Sequence, residues 1–149
     1  NYYFFIFLIL ISFNFIDILK FHPYQSSYFN QFIQGKKKSH FEVDYWGLAG
    51  VKFLKEILKK KDIEETIKIG VASYLPLERS LKMFDVESSK KIIIVGQDYK
   101  NADYIFNNNI SEVNKNVNQK YNIPNNFKLI NEFFVNGFMI YQIYQKNKL

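Results

Sequence analysis

The sequence predicts an α/β fold: an apolar N-terminal helix, interpreted as transmembrane, followed by a small mixed-sheet α/β domain ending in an antiparallel hairpin. Residues 2–13 (YYFFIFLILISF) carry no charge, and apolar character continues to Phe21. Helical and β-branched segments alternate after Gly47, and Asn136-Gly137 separates two apolar runs near the end. We therefore expect three regions: a transmembrane helix (1–21), an aromatic junction (22–47) and an α/β domain (48–149).

Composition restricts the classes of partner. The chain has 149 residues, enough for about one domain, and its lack of cysteine excludes disulfides, thiolate metal sites and a cysteine nucleophile. A net charge of +6 would suit nucleic acid or an anionic lipid surface. However, Arg79 is the single arginine among twenty basic residues, and base reading favours the guanidinium fork. We predict no nucleic-acid partner.

The N-terminal segment has the length of a membrane span. Tyr2 to Phe21 is twenty residues, close to what a helix needs to cross the hydrocarbon core. Asp17 and Lys20 are three residues apart and would share a helix face. Pro23 ends the helix, since the residue before a proline leaves the α region. The alternative is a buried helix of a soluble domain.

The first half of the α/β domain alternates helices and strands. Apolar residues at three- and four-residue steps predict a helix from Leu48 to Lys61, with its lysines facing away. Strands are predicted at Thr66–Ala72, at Lys91–Gly96 and at Ala102–Phe106. The second of these is uninterrupted and therefore expected to be buried on both faces. Pro76 opens a second helix, whose apolar face is formed by Leu77, Leu81 and Phe84.

The C-terminal part begins with an Asn- and Lys-rich segment, 107–126, in which Ser111 caps a short helix or lies in a loop. Lys128–Val135 and Phe138–Gln145 then flank Asn136-Gly137. Asn-Gly between apolar β runs is a strong hairpin signal, because a type I′ turn needs positive φ at both central residues.

Common cofactor motifs are missing. The strand–loop–helix at Ile69–Leu77 has one glycine where a dinucleotide site would need GxGxxG. His22, His40 and Asp44 fit no metal-ligand spacing. We expect no metal and no cofactor in this segment.

The junction carries the most unusual pattern. HPYQSSYFN (22–30) follows the apolar helix, and FEVDYWG (41–47) precedes the amphipathic helix. This combination closely resembles a region of polytopic bacterial glycosyltransferases of the lipid-phosphate-sugar class. In those enzymes the region comprises the end of the last transmembrane helix and the start of the C-terminal extracytoplasmic domain. The class is related in fold to protein O-mannosyltransferases. The matching residues are His22, Pro23, Tyr24, Gln25, Tyr28, Phe29, Asn30, Phe41, Glu42, Asp44, Tyr45, Trp46 and Gly47, with Gly137, Ile140, Ile143 and Tyr144 near the end. Ser26-Ser27 departs from the Tyr-Val that the family prefers.

The resemblance implies that sugar transfer from a polyprenyl-phosphate donor occurs elsewhere in a longer parent chain, on a carboxylate in an early extracytoplasmic loop. This segment would be accessory rather than catalytic. Its junction residues would line the sugar-transfer cavity or contact the acceptor, or would pin the domain onto the last helix. The candidates are His22, Tyr24, Gln25, Tyr28, Asn30, Asp44, Tyr45 and Trp46.

Location and partners follow from the same resemblance. It implies that the protein lies in the bacterial inner membrane with its α/β domain outside the cytoplasm. The implied partners are membrane lipid, upstream helices of the parent chain and a lipid-linked sugar. Lys20 and Lys36–Lys38 would instead favour a cytoplasmic location by the positive-inside rule. The alternative function is a single-span, membrane-anchored module that binds a ligand or a protein.

Overall fold

The computed structural model of the chain describes residues 2–24, 44, 47–60, 66–110, 117–135 and 137–147, without the side chains of Asn14, Asp17 and Lys20. Within these ranges the helices are α1 (Tyr2–Phe21), α2 (Ala49–Lys60), α3 (Glu78–Leu81) and α4 (Val86–Lys90), with 3₁₀ turns at Tyr99–Asn101 and Val117–Tyr121. The strands are β1 (Ile67–Val71), β2 (Ile92–Gly96), β3 (Tyr104–Asn107), β4 (Phe127–Val135) and β5 (Phe138–Lys146).

The five strands form one mixed sheet in the order β2-β1-β3-β5-β4. Strand β1 is parallel to both β2 and β3, whereas β5 is antiparallel to both β3 and β4. Gly137 in the β4–β5 turn has φ +74°, the left-handed conformation that the Asn-Gly signal predicts. The predicted α/β class, the mixed sheet and the C-terminal hairpin are confirmed.

Strand β1 lies between β2 and β3 in the sheet, and its Gly70 lets a neighbouring turn lie close to it. A Cβ atom at Gly70 would lie 2.9 Å from the Tyr99 ring, closer than real Cβ contacts allow. The 3₁₀ turn that begins at Tyr99 connects β2 to β3, which pair with opposite edges of β1. A larger residue at Gly70 would push this turn away from the sheet.

The main core forms between α2 and the sheet. Phe53, Leu54 and Ile57 of α2 are fully buried and belong to one cluster with Ile69 and Ile143. Lys55, Lys59 and Lys60 are exposed on the opposite side of the helix. The amphipathic helix predicted at Leu48–Lys61 is therefore confirmed; it begins at Ala49, and the structure describes it as far as Lys60.

Two expectations for the next segment are wrong. The single helix predicted after Pro76 is two short helices, because Asp85 starts a new one: its carboxylate accepts a hydrogen bond from the Ser88 N–H at 2.9 Å. Strand β2 is not buried on both faces. Among the described strands it lies at the edge of the sheet and pairs with β1 alone, and the Ile93 side chain is 46% exposed. An uninterrupted apolar run does not reveal whether a strand has one neighbour or two.

The predicted helix capped by Ser111 lies largely outside the described residues, and the part that is described, Val117–Tyr121, is a 3₁₀ turn.

Helix α1 presents apolar side chains to its surroundings along its length. Every described side chain from Tyr2 to Leu19 is exposed, and only Phe21 at the C-terminal end is buried. The alternative of a helix packed in the core of its own domain is therefore wrong. Among the side chains that the structure describes, no helix is both long and apolar enough for a membrane span. The transmembrane assignment of 1–21 gains no support from that finding and stays a prediction.

Candidate functional site

Asp44 links the junction to the folded domain. Its side chain is buried, with 2% exposure, and lies just before α2. One carboxylate oxygen, Oδ1, accepts a hydrogen bond from the Ala49 N–H at 3.0 Å, as an N-terminal cap of a helix does. The other, Oδ2, accepts one from Nδ2 of Asn108 at 3.0 Å. Asp44 therefore holds the start of α2 against the segment that follows β3.

Asn108 is a site residue that the sequence did not reveal. Its Oδ1 accepts a hydrogen bond from the Ile110 N–H at 3.2 Å, which fixes the side-chain amide so that Nδ2 faces Asp44. The side chain is 2% exposed. Asn107, Asn108 and Asn109 look alike in a chain rich in asparagine, and only their place directly after a predicted strand could have drawn attention to them.

Burial and hydrogen bonding act in opposite directions on this carboxyl group. Burial raises the pKa of Asp44 above its ordinary value, while hydrogen bonds from Asn108, Ala49 and Leu48 act to lower it. The nearby Tyr24 is affected as well. Burial, together with the charge of Asp44, raises the pKa of the Tyr24 hydroxyl to about 12. At neutral pH Tyr24 is therefore a neutral phenol.

A chain of aromatic contacts runs from the end of α1 into the core. The Tyr24 ring centroid lies 5.6 Å from that of Phe133, which lies 5.3 Å from that of Tyr141. Tyr141 in turn contacts Phe53 of α2 at 6.1 Å, edge to face. Because Tyr24 is only three residues beyond α1, these rings attach the end of that helix to the sheet.

Polar groups flank this aromatic chain. Glu56 accepts hydrogen bonds from the Tyr141 hydroxyl at 2.8 Å and from the Asn131 side-chain amide. The Lys52 ammonium lies 3.4 Å from the centroid of the Phe133 ring, a cation–π contact. Partial burial lowers the pKa of Lys52, and the charge of Glu56 opposes that shift.

A cavity of about 620 Å³ opens beside the end of α1. Its walls come from the residues after α1, from the first turns of α2, from α3 and from the end of β4. The described residues that line it are His22, Pro23, Tyr24, Gly47, Leu48, Val51, Lys52, Lys55, Arg79, Ser80, Met83, Phe133 and Val135. The size is that of a small-molecule site. The lining combines three cationic side chains with an apolar wall.

The structure thus brings together three of the predicted site residues. His22 and Tyr24 line the cavity, and Asp44 holds the start of α2, whose first residues border it. The other five, Gln25, Tyr28, Asn30, Tyr45 and Trp46, lie outside the described residues. Lys52, Lys55 and Arg79 were not predicted. Their common location depends on the packing of α3 against α2, which no spacing in the sequence indicates.

The chemistry of this arrangement is that of binding. Cations and a histidine beside apolar and aromatic side chains can hold an anionic group attached to an apolar one. Within the described ranges, no cluster of three or more His, Asp or Glu side chains could hold a metal ion.

Comparisons with models of protein families, with curated proteins and with solved structures find no match to this chain.

Proposed function

We propose that this chain is the C-terminal portion of an integral-membrane glycosyltransferase that transfers a sugar from a polyprenyl-phosphate donor, and that the segment is accessory to the chemistry. The observation that carries the proposal is an apolar helix that leads directly into the motif HPYQ…YFN and then into DYWG. These are the motifs on which the resemblance to the glycosyltransferases rests. The expected location is the bacterial inner membrane, with the α/β domain outside the cytoplasm.

The exposure of α1 supports a membrane location. Residues 4–11 of α1 (FFIFLILI) are apolar on every side of the helix, and such a segment needs an apolar environment, either a protein core or a bilayer. In α1 the described side chains from Tyr2 to Leu19 are exposed, so the domain itself does not supply that environment. Twenty residues at about 1.5 Å per residue give about 30 Å, which matches the hydrocarbon core.

The second half of α1 contains an amide and two charged residues, Asn14, Asp17 and Lys20. Such residues in membrane helices face the interior of a helix bundle or a polar interface rather than lipid. This favours an α1 that packs against further helices of a longer parent chain. It fits a protein with many spans better than it fits a lone anchor.

The geometry at the junction supports an accessory role. Asp44 uses both carboxylate oxygens in structural hydrogen bonds, and Tyr24 packs into the aromatic chain. Tyr24 therefore attaches the end of α1 to the domain, and Asp44 holds the start of α2 in place. The reacting carboxylate belongs to an upstream loop, as the resemblance implies.

The first test is the gene sequence upstream of the Asn1 codon. Several hundred further codons that encode many apolar spans, with acidic residues in the first outer loop, would support the proposal. A start codon within a few residues of Asn1 would overturn it.

The second test is transfer by the purified complete gene product from a polyprenyl-phosphate-linked sugar. Replacement of the acidic residues in the first outer loop by their amides should abolish transfer. The matched control is Lys128→Gln, an exposed position on β4 away from the cavity, which should leave transfer unchanged. Transfer that survives the loop substitutions would contradict the proposal.

The cavity favours a second candidate, a single-span, membrane-anchored binding module. A volume of about 620 Å³ is enough for a ligand without any upstream domain. The same gene sequence discriminates the two, because only this candidate expects α1 to be the only span.

A further inference from the structure

We propose that the cavity beside the end of α1 binds the phosphate head group of an anionic membrane phospholipid, with Arg79 and Lys55 as its main ligands, and so seats the α/β domain on the bilayer surface. The inference rests on the proposed membrane location of α1 but not on sugar transfer.

The charge of the cavity lining fits an anion. Lys52, Lys55 and Arg79 contribute cationic side chains, and none of the described lining residues is acidic. Among the described residues there is one ion pair, between Lys60 and Glu56. Neither of these residues lines the cavity. The charges of Lys55 and Arg79 are therefore not neutralised by a described carboxylate.

Arg79 points to phosphate in particular. It is the single arginine in a chain with nineteen lysines, so the lysine-rich composition does not account for its place in the cavity. A guanidinium group offers paired N–H donors that match two phosphate oxygens, whereas an ammonium group acts as a point charge. Arg79 is exposed on α3, which leaves these donors accessible.

The position of the cavity points to a lipid. His22, Pro23 and Tyr24 line it and follow α1 directly. If α1 crosses the hydrocarbon core, the cavity lies at the level of the lipid head groups, which flank that core on either side.

Apolar side chains lie beside the cations. Leu48 and Met83 line the same cavity and are 37% and 74% exposed. An exposed apolar wall next to cations suits a molecule with a charged head and an acyl chain. A free phosphate ion would use only the cations.

The experiment measures lipid binding to the 149-residue chain in a neutral detergent by native mass spectrometry. Dioleoyl-phosphatidylglycerol is compared with zwitterionic dioleoyl-phosphatidylcholine. The cavity variant is Lys55→Gln with Arg79→Gln. The matched control is Lys59→Gln with Lys82→Gln, which also removes two positive charges. Lys59 lies in α2 and Lys82 directly follows α3, and both are exposed and outside the cavity lining. Thermal unfolding of both variants checks that the fold is kept.

We expect phosphatidylglycerol to bind about 25-fold more tightly than phosphatidylcholine, since each basic residue near an anionic lipid contributes about a factor of five. The cavity variant lacks two such residues and should lose about 25-fold in affinity for phosphatidylglycerol. The control should stay within about twofold, because its charges remain in water at the surface.

Equal losses of affinity in both variants would overturn the proposal, and so would a lack of preference for the anionic lipid. Displacement of the lipid by inorganic phosphate in the low millimolar range would also overturn it, because the cavity would then be a site for a free anion. A polyprenyl phosphate that displaces phosphatidylglycerol at equal concentration would overturn it too, because the occupant would then be the carrier of the sugar. None of these measurements depends on sugar transfer. A failure of the lipid-binding proposal can therefore be distinguished from a failure of the proposed glycosyltransferase function.

Discussion

At the scale of single residues, the pairing of Asp44 with Asn108 can be tested by exchange. In Asp44→Asn, either orientation of the new amide places its NH₂ group against a donor, the Ala49 N–H or Nδ2 of Asn108. We expect a loss of about 2 kcal/mol in the free energy of unfolding. Asn108→Asp should lose at least as much, since two carboxylates then face each other. The measurement is chemical unfolding of the chain in neutral detergent.

The control for this prediction is the double variant Asp44→Asn with Asn108→Asp. Every hydrogen bond can form again with the roles reversed: the new amide donates to the new carboxylate, which also accepts from the Ile110 N–H. We expect recovery to within about 0.5 kcal/mol of the wild-type chain. Additive losses in the double variant would contradict a direct pairing.

The carboxyl group of Asp44 should also make the stability of the chain decrease as the pH rises. Because burial raises the pKa of Asp44, the native state keeps this proton to higher pH than the unfolded chain, whose ordinary value is 3.8. The stabilising contribution is complete below that value and is lost as the pH rises through the raised pKa. The stability of the wild-type chain relative to Asp44→Asn, which does not titrate, should therefore fall as the pH rises from about 4 through the raised pKa of Asp44.

Melting temperatures of both chains across that pH range test this prediction. A difference that grows with pH would mean that the hydrogen bonds from Asn108 and Ala49 outweigh burial, and that the pKa of Asp44 is lowered instead.

The sequence predicted Asp44 as a junction residue but could not give its partner. The pattern around Asp44 was recognisable because DYWG combines rare residue types within four positions. Asn108 carries no such signal, since its role depends on the Asx turn to Ile110 and on the approach of a segment 64 positions away. The cations of the cavity were missed for the same reason, because they converge only after α3 has packed on α2.

At the scale of secondary-structure elements, Gly50 controls the packing of α2 against α3. A Cβ atom there would lie 2.8 Å from Leu77 Cδ1 and 2.9 Å from Ser80 Cβ. An alanine normally stabilises a helix by about 1 kcal/mol relative to glycine. Here we expect Gly50→Ala to destabilise the chain by about 1–3 kcal/mol, because α3 must move.

Two further variants make the packing argument specific, with chemical unfolding in the same detergent as the measurement. Lys59→Ala, at an exposed position of the same helix, should change the stability by less than about 0.5 kcal/mol. Adding Ser80→Gly to Gly50→Ala removes one of the two nearest neighbours and should recover part of the loss. A stabilised Gly50→Ala variant would show that α2 and α3 are not in close contact.

Elements with a strong local signal were predicted well. The amphipathic period of α2 and the Asn-Gly turn between β4 and β5 both depend on residues that are close in sequence. The break between α3 and α4 has a local signal too, the cap formed by Asp85, but the apolar spacing of Leu77, Leu81 and Phe84 favoured one continuous helix. The exposure of β2 depends on strand order, which local patterns do not determine.

At the scale of the whole molecule, an apolar helix and a folded domain meet at a short aromatic connection. The domain has its own core between α2 and the sheet, and Phe21 is the only described side chain of α1 that is buried. The rings of Tyr24, Phe133 and Tyr141 bind the end of the helix to the sheet. The placement of α1 therefore determines the placement of the α/β domain. An orientation that is measured for α1 also applies to the domain, and the reverse holds too.

That orientation can be measured with single cysteines, since this chain has none of its own. Ile9→Cys lies in the middle of α1, and Lys128→Cys lies on an exposed part of β4. In cells that make the complete gene product, with any upstream cysteines replaced, a membrane-impermeant maleimide should label Lys128→Cys from outside. Ile9→Cys should stay unlabelled until detergent is added, because the hydrocarbon core excludes both water and the reagent.

An unexpected labelling result at each of the two positions would contradict a different part of the proposal. Labelling of Lys128→Cys only after permeabilisation would place the domain in the cytoplasm, the side that Lys20 and Lys36–Lys38 favour by the positive-inside rule. The resemblance to the glycosyltransferases would then be wrong about topology. Labelling of Ile9→Cys without detergent would instead place α1 in water and remove the membrane location itself. In that case the cavity could not lie at the lipid head groups, and binding of phosphatidylglycerol to it would need another explanation.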